Sequence, residues 1–212
     1  MAGLQPPLIL ASGSPRRREL LAMLGLQFEV RPSHIPEASR PGEAPAAYTE
    51  RLAREKALNV PGPLVLGADT TVVVEGQMLE KPVDDVDALR MLRLLQGRTH
   101  EVITAIALVA DGTVRQATDH TRVTFRSADD EFLRTYIATG EPRDKAGAYG
   151  IQGYGAALVE RVEGDFFGVM GLPLRLVLRL LAESGRMWRA PKLNCSARRK
   201  RSNGNATPQG SW

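Results

Sequence analysis

One aspartate, a short run of arginines, three lysines and a glutamine set between glycines hold most of the chemistry this chain can offer. Asp69 stands between the apolar run LVLGA (64–68) and TTVVV (70–74), which reads as the end of a buried strand. A carboxylate there is costly unless it binds a cation, accepts several hydrogen bonds or does proton chemistry. An aspartate that merely forms a turn gives the same pattern, and the residue alone does not separate the two. In LILASGSPRRREL (8–20), Leu8 to Ala11 forms a short apolar strand, Ser14 is a helix N-cap and Pro15 fits the first helical position. Arg16, Arg17 and Arg18 then occupy the first turn, where the helix dipole disfavours each exposed cation by roughly 0.3–1 kcal/mol. A nearby anion would balance them. Ser12, Gly13 and Ser14, with free helix N–H groups and arginine forks, suit phosphate oxygens, whereas a basic surface helix is the plainer reading.

The lysines are Lys56 in REKA, Lys81 in EKP and Lys145 in DKAG. A lysine in a helix of mixed charge is ordinarily solvated, and that is the plainer reading of Lys56. Lys81 follows a hairpin and precedes Pro82, where a stiff chain can aim its charge into a cleft. Glu37, alone in a proline-rich loop, is either a metal ligand or loop surface. In YGIQGYG (149–155) the glycines permit positive φ and close ligand approach, and the Gln152 amide can read a donor and an acceptor on a base edge. A bulged strand with glycines at its bends fits that segment equally well. The GxxxxGK[ST] and strand-linked GxGxxG phosphate loops are absent.

The elements that must position these residues alternate irregularly. A helix from Pro15 stops at Gly25, and LQFEVR (26–31) alternates as a half-buried strand, giving a βαβ-like start. A second helix covers 46–60, with Glu50/Arg54 and Arg51/Glu55 paired four apart. Strand-like runs at 64–66 and 70–74 flank Gly67, Ala68 and Asp69, and Glu75-Gly76 turns the chain. A helix over 84–97 precedes two long strands joined by Asp111-Gly112, a strong hairpin signal. Ser127 with Asp130 resembles a capping box for the next helix. LVERVEGDFFGVMG (158–171) reads as a hairpin, and a last helix begins with Pro173 in its first turn. The expectation is one elongated α/β fold with a mixed sheet, in two lobes with a central cleft.

Composition narrows the function classes. The chain has 212 residues, 43% of them hydrophobic, enough for a sizeable core. No apolar stretch approaches the roughly 20 residues of a membrane span, and the charges near the N-terminus follow the apolar run, opposite to a signal peptide, so a cytoplasmic location is expected. One cysteine, Cys195, and three scattered histidines, His34, His100 and His120, leave no Cys/His zinc cluster, so any metal is expected to be oxygen-ligated. The net charge of +4 suggests nucleic acid until it is divided along the chain. Seven Lys or Arg and no acid lie from Arg186 onward, leaving 21 basic against 24 acidic residues in 1–185. Residues 1–185 are therefore expected to form the domain and 186–212 a basic, disordered tail, with no dedicated nucleic-acid binding.

Taken together, LILASGSPRRREL, RLAREKA, LGADTTVVVEGQMLEKP and TGEPRDKAGAYGIQG resemble the Maf family of nucleoside triphosphate pyrophosphatases, in order, across residues 8 to about 183. The resemblance implies a fold similar to inosine triphosphate pyrophosphatases, a divalent cation (Mg²⁺ or Mn²⁺) and, in many members, a homodimer. It places the proton acceptor at Asp69. It places substrate selection at Arg16, Thr70 and Gln152, in the combination of the branch acting on dTTP and UTP, and phosphate or metal contacts at Ser12, Ser14, Arg17, Glu37, Lys56 and Lys81. Asp69 would deprotonate a water attacking the α-phosphorus, with Glu37 and Asp69 as metal ligands. A hydrolase of modified pyrimidine nucleotides and a non-catalytic nucleotide-binding regulator of cell division share these motifs.

Overall fold

The computed structural model describes residues 7–190. Cys195 and the expected disordered tail beyond residue 190 lie outside the described residues. Strand β1 (Leu8–Leu10), helix α1 (Pro15–Met23) and strand β2 (Phe28–Val30) form the opening unit, with β1 and β2 parallel. Ser14 caps α1 by accepting from the Arg17 N–H, Pro15 is its first residue, and Gly25 at φ 67° ends it. There follow α2 (Pro45–Asn59), β3 (Leu64–Val74), β4 (Gln77–Leu79), α3 (Asp85–Leu95), β5 (Thr99–Ala110), β6 (Thr113–Phe125) and α4 (Asp130–Ala138). Three 3-10 turns then lead to β7 (Val159–Glu163), α5 (Phe166–Val169) and α6 (Leu174–Glu183). The strands form one mixed sheet in the order β2-β1-β3-β5-β6-β7, with β4 paired to β3. Both hairpin turns have two consecutive positive-φ residues, Glu75-Gly76 and Asp111-Gly112, the geometry that matches strand twist.

The two faces of the sheet carry different cores. Helix α2 covers one face, over Ile9, Val65, Ala105, Ala107 and Val109, presenting Ala53 and Ala57. The other face carries the larger core, where Leu8, Leu10, Leu64, Leu66, Ile106 and Leu108 pack with leucines of α1, α3, α4 and α6. Alternation along β3 decides what each face receives: Val65, Gly67, Asp69 and Thr71 turn toward α2, and Leu66, Ala68, Thr70 and Val72 turn away.

Several local expectations are corrected. Residues 64–66 and 70–74 are not two runs but one eleven-residue strand, and Asp69 lies in its interior, paired in register with Ala105. Gly67 is no break: a Cβ there would stand 2.3 Å from the Ala53 carbonyl oxygen and 2.6 Å from the Ala57 nitrogen, so the glycine lets α2 rest on the strand backbone. Asp129, not Ser127, caps α4, its carboxylate accepting from the Phe132 N–H. Residues 158–171 form no hairpin. β7 pairs back onto β6, and the Asp165 carboxylate caps α5 by accepting from the N–H groups of Phe167 and Gly168, which turns the chain out of the sheet. The Arg51/Glu55 pair forms at 3.2 Å, but Glu50 accepts instead from the Thr118 hydroxyl of β6. The glycine-rich segment 149–155 is no bulged strand: it is irregular up to Gln152 and then enters the 3-10 turn Gly153–Leu158. Past Gly185 the chain stays attached to the body, Trp188 donating to the Leu24 carbonyl and Arg186 pairing with Asp111. Among the described residues no helix is long and apolar enough to cross a membrane.

His100 on β5 is 3% exposed and packs edge-on against Phe125 and Tyr149, with Nε2 at 2.8 Å from the Tyr149 hydroxyl. Burial pushes its pKa down to about 4. The unfolded chain therefore takes up a proton near pH 6.5 that the folded chain refuses until about pH 4, so acidification across that window destabilises the fold, by up to about 1.4 kcal/mol per pH unit. Urea unfolding of the wild type against His100→Gln between pH 7.5 and 4 should show this excess acid sensitivity only in the wild type; parallel curves would refute it.

Candidate active site

The site arises from a gap in the sheet. β1 pairs with β3 only as far as Leu66, and β4 pairs with the same edge of β3 only from Val72, so residues 67–71 have no strand beside them on that edge. The chain leaves β1 into the gap as Ser12–Arg17. From the other side, β4 ends at Leu79 opposite Val72 and continues into Glu80 and Lys81. A cleft of about 570 Å³ opens there, closed further by the turns around Asp144–Gln152 and by Val169–Gly171 after β7. It brings together Ser12, Ser14, Arg16, Arg17, Glu37, Lys56, Asp69, Thr70, Lys81 and Gln152. Arg18, the third arginine of the run, is exposed and lies outside it.

Asp69 and Lys56 form the centre. Lys56 is buried rather than solvated, and its Nζ stands 2.7 Å from Asp69 Oδ1 and 2.7 Å from Glu37 Oε1. Each carboxylate thus spends one oxygen on the same ammonium and keeps one. Burial pushes the Asp69 carboxyl upward, and the attraction of Lys56 and Arg17 offsets this only in part. For Glu37 burial acts in the same direction, but the hydrogen bond and charge of Lys56, with Lys81 and Arg17, outweigh it and hold the carboxyl below its ordinary value. Tyr48 of α2 donates toward Glu80 Oε1 at 3.1 Å and is itself pushed upward, by burial first and then by Glu80.

Arg17 is fixed by neutral acceptors. Its Nε donates to the Gly171 carbonyl at 2.9 Å, Nη1 to Ser12 Oγ at 3.3 Å and Nη2 to Thr70 Oγ1 at 3.1 Å. Thr104 Oγ1 lies 3.0 Å from Thr70 Oγ1 and 2.8 Å from the Gly168 carbonyl. The Thr104 hydroxyl is the donor within reach of both acceptors, Thr70 Oγ1 and the Gly168 carbonyl. Thr70 Oγ1 accepts from Arg17 and from Thr104, and its own hydroxyl proton has no partner among the described residues. Arg16 stands 3.6 Å from Asp144, and the Gln152 side chain is exposed along the cleft.

The profile of the Maf-like protein family matches residues 7–184. The chain belongs to the Maf-like protein family. Among its relatives, a protein of Koribacter versatilis is 50% identical over 182 residues, covering 84% of this chain and 94% of its own length. One of Anaeromyxobacter dehalogenans is 52% identical, covering 85% and 95%, and one of Moorella thermoacetica is 53% identical, covering 84% and 95%. All three are named dTTP/UTP pyrophosphatase. A HAM1 protein structure from Coxiella burnetii covers 56% of this chain and 72% of its own at 16% identity with a TM-score of 0.40, too low to carry an argument.

Sequence reading of this Maf-like chain missed Tyr48, Glu80, Thr104 and Asp144. Thr104 had a signal, being the lone hydroxyl in the apolar run VITAIALV. Asp119 was missed as well: it is 4% exposed, accepts from Arg175 of α6 and the Thr121 hydroxyl, and with Asp165 ties the 165–171 turn to β6. That turn supplies the Gly168 and Gly171 carbonyls that orient Thr104 and Arg17. In free peptides aspartate titrates below glutamate. A carboxyl ¹³C NMR titration of the metal-free, nucleotide-free protein should show Asp69 titrating above the ordinary aspartate range and Glu37 below the ordinary glutamate range; a shift of either in the opposite direction would refute the balance of burial and charge described for this pair.

Proposed function

We propose that this chain hydrolyses dTTP and UTP to the nucleoside monophosphate and pyrophosphate, the activity named for its relatives. The observation that carries the proposal is the Asp69 carboxylate, which is buried, held at Oδ1 by Lys56 and without a hydrogen-bond partner at Oδ2 among the described residues, and which lines a cleft walled by the arginine turn. Hydrolysis at the α-phosphorus joins a water oxygen to phosphorus, breaks the bond to the bridging oxygen and requires a proton to leave the water. Asp69 Oδ2 takes that proton. A carboxyl pushed upward by burial is a stronger base than an ordinary aspartate, and Lys56 holds it in one orientation.

The triphosphate carries about four negative charges, and its hydrolysis is mainly a matter of position and charge. Ser12, Ser14 and Arg17 supply donors from one side of the cleft and Lys81 from the other, with Lys56 set between Asp69 and Glu37. The free oxygen of Glu37, with the lone pair of Asp69 Oδ2 that does not take the proton, makes an all-oxygen donor set of the kind Mg²⁺ and Mn²⁺ take. Among the described residues no group of three or more His, Cys, Asp or Glu side chains is disposed to hold a metal. The two carboxylates would therefore share a cation with phosphate oxygens and water, and the bound ion would neutralise developing charge on the phosphates.

Base selection follows from Thr70 and Gln152. The Thr70 hydroxyl, an acceptor for Arg17 and Thr104 with its own proton free, suits a base carbonyl such as O4 or O2 of uracil or thymine. The Gln152 amide is free to meet a carbonyl, and Arg16 borders the same end of the cleft. In this reading the enzyme works in the cytoplasm, where its substrates are, as one domain covering residues 1–185, and the resemblance adds a homodimer.

Pyrophosphate release across dTTP, UTP, CTP, GTP and 5-substituted UTP, with Mg²⁺, Mn²⁺ or chelator, tests the proposal alongside Asp69→Asn. Turnover should favour dTTP and UTP, vanish with chelator and fall roughly 10²–10⁴-fold in the variant with its fold retained. Near wild-type turnover by the variant would remove Asp69 as the base. A preference for 5-substituted UTP would make the chain a hydrolase of modified pyrimidines, and tight nucleotide binding without turnover would make it a regulator.

A further inference from the structure

The glycine-rich loop that carries Gln152 is built around a carboxylate of the chain itself. Glu141 Oε2 accepts from the Tyr154 N–H at 2.9 Å, and Oε1 accepts from the Gly155 N–H at 3.0 Å and the Tyr136 hydroxyl at 2.9 Å. That hydroxyl in turn accepts from the Gly150 N–H at 3.0 Å. Two glycines of the loop close on this group. A Cβ on Gly153 would stand 2.4 Å from Oε2, and one on Gly155 would meet the Gly150 carbonyl oxygen at 2.2 Å, the Tyr136 hydroxyl at 2.7 Å and Oε1 at 3.1 Å. A Cβ on Gly150 would meet the Lys145 side chain at 2.9 Å before Oε1 at 3.2 Å. Gly153 and Gly155 are therefore required where the backbone closes on Glu141 and Tyr136, and Gly153 adds a positive φ of 72°. Converging backbone N–H groups of this kind form an anion nest, and here the anion is internal.

Between Gly150 and Tyr154, both anchored, lie Ile151, buried toward the core, and Gln152, along the cleft. A glycine-rich span loses much freedom when it is ordered, and the charge-assisted bonds to one carboxylate offset that loss. Glu141 itself does not line the cleft. We propose that Glu141 is a positioning residue for base recognition, acting through Gln152 by fixing both flanks of the loop that presents it. This rests on the proposed pyrophosphatase reading, in which Gln152 reads the base.

The test is a double-mutant cycle between Glu141→Ala and Gln152→Ala, read as the ratio of kcat/KM for UTP over CTP. Glu141→Ala should lower that ratio by roughly tenfold or more, to the level of Gln152→Ala, and the double variant should fall no further. Glu141→Gln, which keeps the volume but turns an amide N–H₂ toward a backbone N–H, should lower the ratio part of the way. A ratio that survives Glu141→Ala, an equal loss for every nucleotide, or single-variant effects that multiply in the double variant would each overturn the proposal. Hydrogen exchange supplies a readout independent of turnover: the Tyr154 and Gly155 amides should lose protection in Glu141→Ala while those of β5 keep theirs. Unchanged protection of those two amides overturns the positioning role even if the wild type proves inactive on dTTP and UTP, an outcome that would by itself count only against the pyrophosphatase reading.

Discussion

Everything at the cleft depends on one buried interaction, the ammonium of Lys56 set between Asp69 and Glu37. A carboxylate in the middle of a central strand is disfavoured by β propensity and by desolvation, and nothing on β3 itself compensates it. Compensation comes from α2, and it reaches Asp69 only because the helix lies close enough for a four-carbon stem to end 2.7 Å from the carboxylate. Gly67, Ala53 and Ala57 set that closeness, since any side chain on Gly67 would meet the helix backbone. The smaller core under α2, made of alanines and valines around Ile9, is thus a consequence of the site's electrostatics as much as of packing. A bulkier interface would bury more apolar surface and leave Asp69 unpaired.

The second constraint is the interrupted edge of β3. A strand paired along both edges has no room for a ligand beside it, whereas a strand that loses one partner at Leu66 and gains another at Val72 exposes backbone and side chains between them. The chain endings that flank the interruption bring charge from opposite directions, Arg16 and Arg17 from β1 and Lys81 from β4. Because alternation sends Asp69 to one face and Thr70 to the other, adjacent residues serve separate tasks. Asp69 belongs to the Lys56 and Glu37 cluster, and Thr70 belongs to the hydroxyl chain through Thr104 to Gly168.

Much of this was legible in the sequence, for identifiable reasons. The capped helix at Ser14-Pro15 and the two positive-φ hairpin turns depend on local chemistry, which survives any tertiary context. What was misread depends on contacts far along the chain. Lys56 looks solvated because its helix neighbours are charged, and only the approach of β3 buries it. Gly67 looks like a break because its reason, the backbone of α2, is absent from any local window. The 158–171 segment looks like a hairpin because apolar residues resume after the Gly164-Asp165 turn, and the cap that ends it needs the Asp119, Thr121 and Arg175 network to hold the turn. The glycines at 150–155 read as room for a ligand or as bends of a bulged strand, because the carboxylate the backbone closes on, Glu141, lies outside that window.

The handling of arginine charge shows what kind of ligand the cleft awaits. Arg16 has Asp144 at 3.6 Å, and Lys56 has two carboxylates. Among the described residues Arg17 is bonded only to neutral partners, two hydroxyls and a carbonyl, and burial lowers its pKa, with Asp69 and Glu37 opposing at longer range. Neutral acceptors fix the guanidinium plane without cancelling its charge, so the cost of burying that charge at a helix N-terminus is compensated by the fold only in part. A fold selected for stability alone would place a carboxylate beside it, as it does for Arg51 with Glu43. Leaving the charge open reserves its compensation for an anion that enters the cleft, and a triphosphate supplies that compensation only when it lies along the wall where Arg17 points.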